Sequence, residues 1–230
     1  MTLEDAIKKL AKDNVNSAND WYSWRAINES KLPEGLSLPQ GNQYKKNLAL
    51  KTQLTAKLGA VTDHEERKQL LKYYISTWGG IHGNSDETLN KYTRSTSEEL
   101  KAMGSHGIAS WSKALCIHDP GKFAIFDARV SASLNALQII KSIEDAQLYP
   151  VLTSRNNVIK KGIKFIKAIA KKDAWDIAPE CGFYDTYLGY LKRAASSLDK
   201  DMGVSVATIE MLLFSKSEEL VKKAFPNEKF

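Results

Sequence analysis

The stretch FAIFDARVSASL, residues 123–134, sets a single carboxylate, Asp127, between a dense apolar run and a small-residue helical pattern. A carboxylate at that place caps the free amides of a helix start, a role that needs no further function. It also suits the stabilisation of a positive charge that develops next to it, and the residues upstream bear on which role applies. There, SEELKAMGSHGIASWSKALCIHDPGKF (97–123) reads as a helix capped by Thr96 or Ser97, a tight turn Gly104-Ser105-His106-Gly107, and a second helix that stops before Pro120. Glycines in such a turn reach positive φ and let backbone amides approach a phosphate closely, while the helix N-terminus that follows favours an anion.

A glycine hairpin followed about twenty residues later by Phe126-Asp127-Ala128-Arg129-Val130 resembles the helix-hairpin-helix DNA glycosylase superfamily, in particular its divergent 8-oxoguanine-glycosylase-like branches. In that superfamily a hairpin of the form L-P-G-[VI]-G leads to an aspartate in a V-D-x-[HR]-V context. The matching residues here are Gly104 and Gly107-Ile108-Ala109 for the hairpin and Asp127 for the acid, so the resemblance covers roughly residues 70–140. No proline precedes the turn, and Ala109 stands where a second glycine is usual. The resemblance implies an enzyme that flips a modified base out of duplex DNA and breaks its N-glycosidic bond, with Asp127 beside the sugar stabilising an oxocarbenium-like transition state. It also implies that Gly104, Ser105, His106 and Gly107, together with Arg129, hold the DNA backbone. The alternative is a non-catalytic helix-hairpin-helix module that binds nucleic acid, with Asp127 reduced to a cap.

Members that also cut the strand carry a lysine four positions after the first glycine of the G-[VI]-G step, where it attacks C1′ and forms a Schiff base. Four positions from Gly107 lies Trp111, and the lysine comes two further on, at Lys113. Side chains two apart on a helix point about 200° from each other, so at most one of them faces Asp127. With Trp111 in register the chemistry is monofunctional. With the short connection ALCIHDPGKF shifting the register, Lys113 joins Asp127 as a catalytic residue and strand cleavage follows.

Beyond the hairpin, YYISTWGGIHGN (73–84) ends a helix with Trp78 and opens into glycines, which makes Trp78, His82 and Trp111 candidates for a base pocket. DWYSWR (20–25) places Trp21 and Trp24 near one helical face and reads as packing. RNNVIKKGIKFIKAIAKK (155–172) sets six lysines around an apolar stripe, the pattern of a solvated helix face with phosphate contact as the alternative. The four histidines show no metal-ligand spacing, and two cysteines are too few for an iron–sulfur cluster or a structural zinc. No cofactor or metal is expected.

The elements that must position these residues are helical. Leu3, Ile7 and Leu10 form one stripe, Leu50, Leu54 and Leu58 another, and further helices are expected near 63–77, 97–103, 108–118, 128–142, 156–171, 184–200 and 206–222. No alternating strand pattern stands out, so the expected fold is all-α, roughly ten helices in two closely packed lobes around the hairpin. The chain is expected to form a single helical domain, 1–230, in which residues 1–40 are an N-terminal helical extension set off by the loop KLPEGLSLPQGNQ, and 97–130 carry the hairpin and the acid. With 33 Lys+Arg against 27 Asp+Glu, a formal net charge of +6 and a pI near 9.1, the composition favours a polyanionic partner. Neither a secretory signal nor a membrane span is readable. The sequence therefore leads to the expectation of a cytoplasmic monomer acting on double-stranded DNA in repair or in antiviral defence.

Overall fold

A computed structural model describes residues 1–16, 20–198 and 203–230. The described residues form an all-α protein of ten helices, with one short 3-10 turn, one π-helical turn and a minimal pair of strands. They divide into two compact units, one built from residues 1–16 together with the described residues from Phe126 to Phe230, the other from residues 20–125. The first helix, α1 (Leu3–Asn14), buries Leu3, Ala6, Ile7 and Ala11 and packs with helices from the C-terminal half, whereas residues 20–40 belong to the other unit.

In the unit of the termini, α7 (Ala128–Ile140) lies at the centre, packed on α10 (Val206–Ala224), α8 (Asn157–Lys172) and α1, while α9 (Phe183–Ser196) joins α1 and α10. Nine consecutive residues of α7, Val130 to Gln138, are buried, although four of them are polar. Each of these polar side chains is satisfied. Ser133 donates to the Leu213 carbonyl at 2.6 Å and Ser131 to the Pro150 carbonyl at 2.6 Å. Gln138 accepts the Gln147 amide and donates to the Gln147 carbonyl, both at 2.8 Å, and Asn135 accepts the Tyr149 amide at 3.0 Å. Two side chains of α7 thus stand in for a neighbouring strand and hold the extended segment 147–150 against the helix. Part of that segment, Gln147–Leu148, pairs in parallel with Asp176–Ile177, a ladder too short to leave an alternating pattern in the sequence. Gly162 of α8 packs against α10 so closely that a β-carbon there would collide with the Val221 side chain.

In the other unit, α2 (Gln43–Ala60), α3 (His64–Lys72), α4 (Asp86–Arg94) and α5 (Ser97–Lys101) surround α6 (Ile108–His118). Helix α3 runs on into the π-helical turn Tyr73–Trp78. Helix α4 was not expected from periodicity, because its core face is only Leu89 and Tyr92. Its ends are marked by other means: Ser85 caps the Thr88 amide, Asp86 and Glu87 fill the first turn, and Lys91 and Arg94 fill the last. The aromatic segment 20–25 is packing, as read, but not helical. Trp21 lies 5.1 Å from Tyr44 of α2 and 5.9 Å from Tyr22, and these edge contacts hold it as irregular chain.

Candidate functional site

Asp127 is the N-cap of α7. Its backbone is extended and its Oδ1 accepts the amides of Arg129 at 2.9 Å and Val130 at 3.1 Å, both in the first turn of the helix. Oδ2 accepts no hydrogen bond from the described residues, so one carboxylate oxygen fixes the side chain while the other stays open. Phe126 on one side is fully buried, 5.3 Å from both Phe183 and Tyr187, and Val130 on the other is buried as well. The half-buried carboxylate therefore sits on a rigid mount made of the helix cap and two core anchors. Arg129 is engaged within the same unit, with Nη2 2.7 Å from Glu218 Oε1, Nη1 donating to Ser217 at 3.1 Å and the guanidinium over the Phe214 ring. Glu218 Oε1 also accepts from Asn156 at 3.0 Å. The side chain expected at a DNA backbone thus ties α7 to α10, a partnership across 89 residues that no local pattern announces.

The turn lies between α5, which ends at Lys101 rather than at Met103, and α6. Thr96 caps α5 in a reciprocal box with Glu99, a chain of i to i+3 bonds carries the turn, and Gly104 and Gly107 both take left-handed φ, 56° and 67°. Its four residues are not equivalent. Gly104 is buried and its amide donates to the Lys101 carbonyl at 3.0 Å, and Ser105 is half-buried, whereas His106 and Gly107 are exposed. The amides of Gly107 and Ala109 donate to no atom of the described residues, leaving two N–H groups at the N-terminus of α6. A β-carbon at Gly107 would lie 2.9 Å from the Tyr92 hydroxyl, so glycine is required there by φ and by space together.

Trp111 and Lys113 are both interior. Trp111 has 0% exposure and donates its indole N–H to the His106 carbonyl at 3.1 Å, locking the turn onto α6. Lys113 has 4% exposure, its Nζ donates to the Ala109 carbonyl at 2.8 Å, and its Cε lies 2.8 Å from where a β-carbon on Gly79 would be. It is not the solvated lysine that its charge suggests. The third base-pocket candidate, Trp78, is half-buried at the end of the π-helical turn, stacked on Tyr74 at 4.3 Å and 6°, with its indole N–H on Asn47 Oδ1 at 3.0 Å. One side of it lines a cavity of about 180 Å³ shared with Trp24, Arg25, Lys31, Tyr73 and Thr77. Arg25 donates to the Trp78 carbonyl at 2.5 Å and lies over the Trp24 ring. His82 is exposed beyond this turn. Sequence reading named the tryptophan but missed Asn47 and the cationic lining, because 31 and 53 residues separate Trp78 from Asn47 and Arg25.

No family model, curated protein or solved structure matches the chain. Local geometry therefore carries the functional reading. Among the described residues no group of His, Cys, Asp or Glu is placed to hold a metal ion, and no helix is long and apolar enough to cross a membrane. Cys116 is buried and Cys181 exposed, both as free thiols. Asp127 belongs to the unit of the termini, and the hairpin, Trp111, Lys113, Trp78 and His82 belong to the other.

Proposed function

We propose that this chain is a DNA N-glycosylase of the helix-hairpin-helix kind, acting on a modified base in double-stranded DNA. The observation that carries the reading is the half-engaged carboxylate of Asp127, one oxygen spent on the helix cap and the other open. A carboxylate fixed before the reaction stabilises the positive charge that builds at C1′ without having to reorganise. As the N-glycosidic bond breaks, its electron pair leaves with the base. A water oxygen then bonds C1′, and the proton it loses passes through Asp127 to the departing base. The two unpaired amides at Gly107 and Ala109 supply the kind of anion site that holds a backbone phosphate. Candidate substrates are oxidised, alkylated or hypermodified bases, in repair or in defence against foreign DNA.

Incubating the chain with DNA from several modified sources and assaying free base and alkali-labile sites tests the reading. Base release that disappears in Asp127→Asn supports it. DNA binding without release from any substrate supports instead the second reading, a non-catalytic binding module, which the capping role of Asp127 also fits.

A further inference from the structure

The lysine-rich helix α8 lies outside everything assigned above. Its sixteen residues contain six lysines and no acidic residue. Lys160, Lys164, Lys167 and Lys171 follow one another at steps of four, three and four, which on a helix confines them to an arc of about 60° over a length of about 16 Å. Lys161 and Lys172 flank the row on one side. All six are exposed, and none is ion-paired among the described residues. Some lysines elsewhere are matched with acids, as in Lys8 with Glu4, Lys46 with Glu29 and Lys68 with Glu65 and Asp86, and, among the described residues, others such as Lys12, Lys72, Lys91 and Lys192 are not; what sets α8 apart is six lysines on one helix that has no acid of its own. Like charges four apart each cost a helix about 0.2–0.5 kcal/mol, so the unrelieved row weakens α8 by itself. The helix is held instead by its opposite face, where Ile159, Ile166 and Ala170 are buried and Gly162 meets Val221.

We propose that the row Lys160, Lys164, Lys167 and Lys171 is a second DNA-binding surface that tracks the phosphates of a duplex without reading sequence. Charge complementarity selects the partner: duplex DNA carries one negative charge per about 1.7 Å of axis, so a straight row of four cations about 16 Å long meets a continuous line of counter-charge. Lysine is a compact point charge that suits contact with phosphates in any register, unlike the planar fork of arginine. An anionic membrane is the poorer match. Interfacial helices bury an apolar face among lipids, and the apolar face of α8 is spent on α7 and α10.

The proposal shares with the glycosylase reading only its partner, so the test reads binding rather than base release. The full chain and the variant Lys160→Gln/Lys164→Gln/Lys167→Gln/Lys171→Gln are titrated against unmodified labelled duplex from 50 to 300 mM salt. Lys12→Gln/Lys72→Gln/Lys91→Gln/Lys192→Gln, with the same change in net charge on other exposed lysines, is the control. The expected result is a drop of roughly 0.9 in the slope of log K against log salt for each lysine on a phosphate, about 3 to 4 for the row. The control slope should fall by less than 1. Equal slopes for wild type and row variant, or an equal loss in the control, overturn the proposal. So does row-dependent binding to phosphatidylserine vesicles with none to DNA. A row-dependent slope in a chain that releases no base supports this surface and counts against the glycosylase reading alone, and the reverse outcome separates them the other way. Circular dichroism melts within 3 °C of wild type confirm that all three proteins compared are folded.

Discussion

Asp127 Oδ1 accepts the Arg129 amide at 2.9 Å, so the carboxylate expected to act on a sugar is also the residue that begins helix α7. The two roles use different oxygens and can be separated by substitution. Asparagine keeps the cap acceptor and removes the charge, whereas alanine removes both. Asp127→Asn should melt within a degree or two of wild type while base release falls by two orders of magnitude or more, because a group acting on the transition state lowers turnover rather than binding. Asp127→Ala should in addition lose about 1 kcal/mol of stability. Comparing melting curves with single-turnover release checks both, and normal turnover in the asparagine variant removes Asp127 from the chemistry.

The exposed edge of the hairpin is best probed at His106. Gly107 is unsuited, since any side chain there meets both the left-handed φ of 67° and the Tyr92 hydroxyl, and the resulting strain of about 1–2 kcal/mol confuses folding with binding. His106→Glu leaves the backbone carbonyl that receives the Trp111 indole in place and sets a carboxylate beside the two free amides. Affinity for specific and non-specific duplex should fall together, about tenfold at low salt, as for a contact that positions without reading sequence. Unchanged affinity by fluorescence anisotropy would leave the hairpin as a turn only.

Lys113 sits within the core of its unit, and borohydride is expected to trap no covalent adduct with DNA. Its aliphatic stem fills the space beside Gly79, so Gly79→Ala should be destabilising by about 1–3 kcal/mol: the new methyl meets the Ile75 carbonyl oxygen at 2.6 Å as well as Lys113. Denaturant melts of Gly79→Ala test the packing. An adduct that forms in wild type and vanishes in Lys113→Gln would show that the lysine reaches C1′ and that the chain has strand-cleaving chemistry.

Burial lowers the pKa of His118 below the usual histidine value, and the nearby Arg67 adds to the effect. The unfolded chain then binds more protons than the folded one, so stability rises with pH across this window. The contribution is complete above about pH 6.5, the unfolded value, and is lost as pH falls toward the depressed folded value. His118→Gln should flatten the fall in Tm between pH 7.5 and pH 5.5 relative to wild type. An unchanged slope by differential scanning calorimetry would show that other groups set the acid sensitivity.

Local signals in the sequence sufficed for most helices. Thr96 with Glu99, Gly104 with Gly107, and Asp127 ahead of a small-residue run each act through atoms within a few residues, so hairpin, cap and helix starts are legible one segment at a time. The helix pattern likewise placed α6 at 108–118 without error, because its boundaries are a glycine and the residues before a proline. What tertiary structure decided is the state of the charged and polar side chains. Lysine looks the same in sequence at 113 and at 164, yet one stem is buried against Gly79 and the other stands in solvent, since burial depends on which helices close over a face. Arg129 found Glu218, Trp78 found Asn47, and Asn135 found the backbone of Tyr149 for the same reason. A buried polar group must take whatever partner the packing brings, and that partner is fixed by the fold rather than by spacing along the chain.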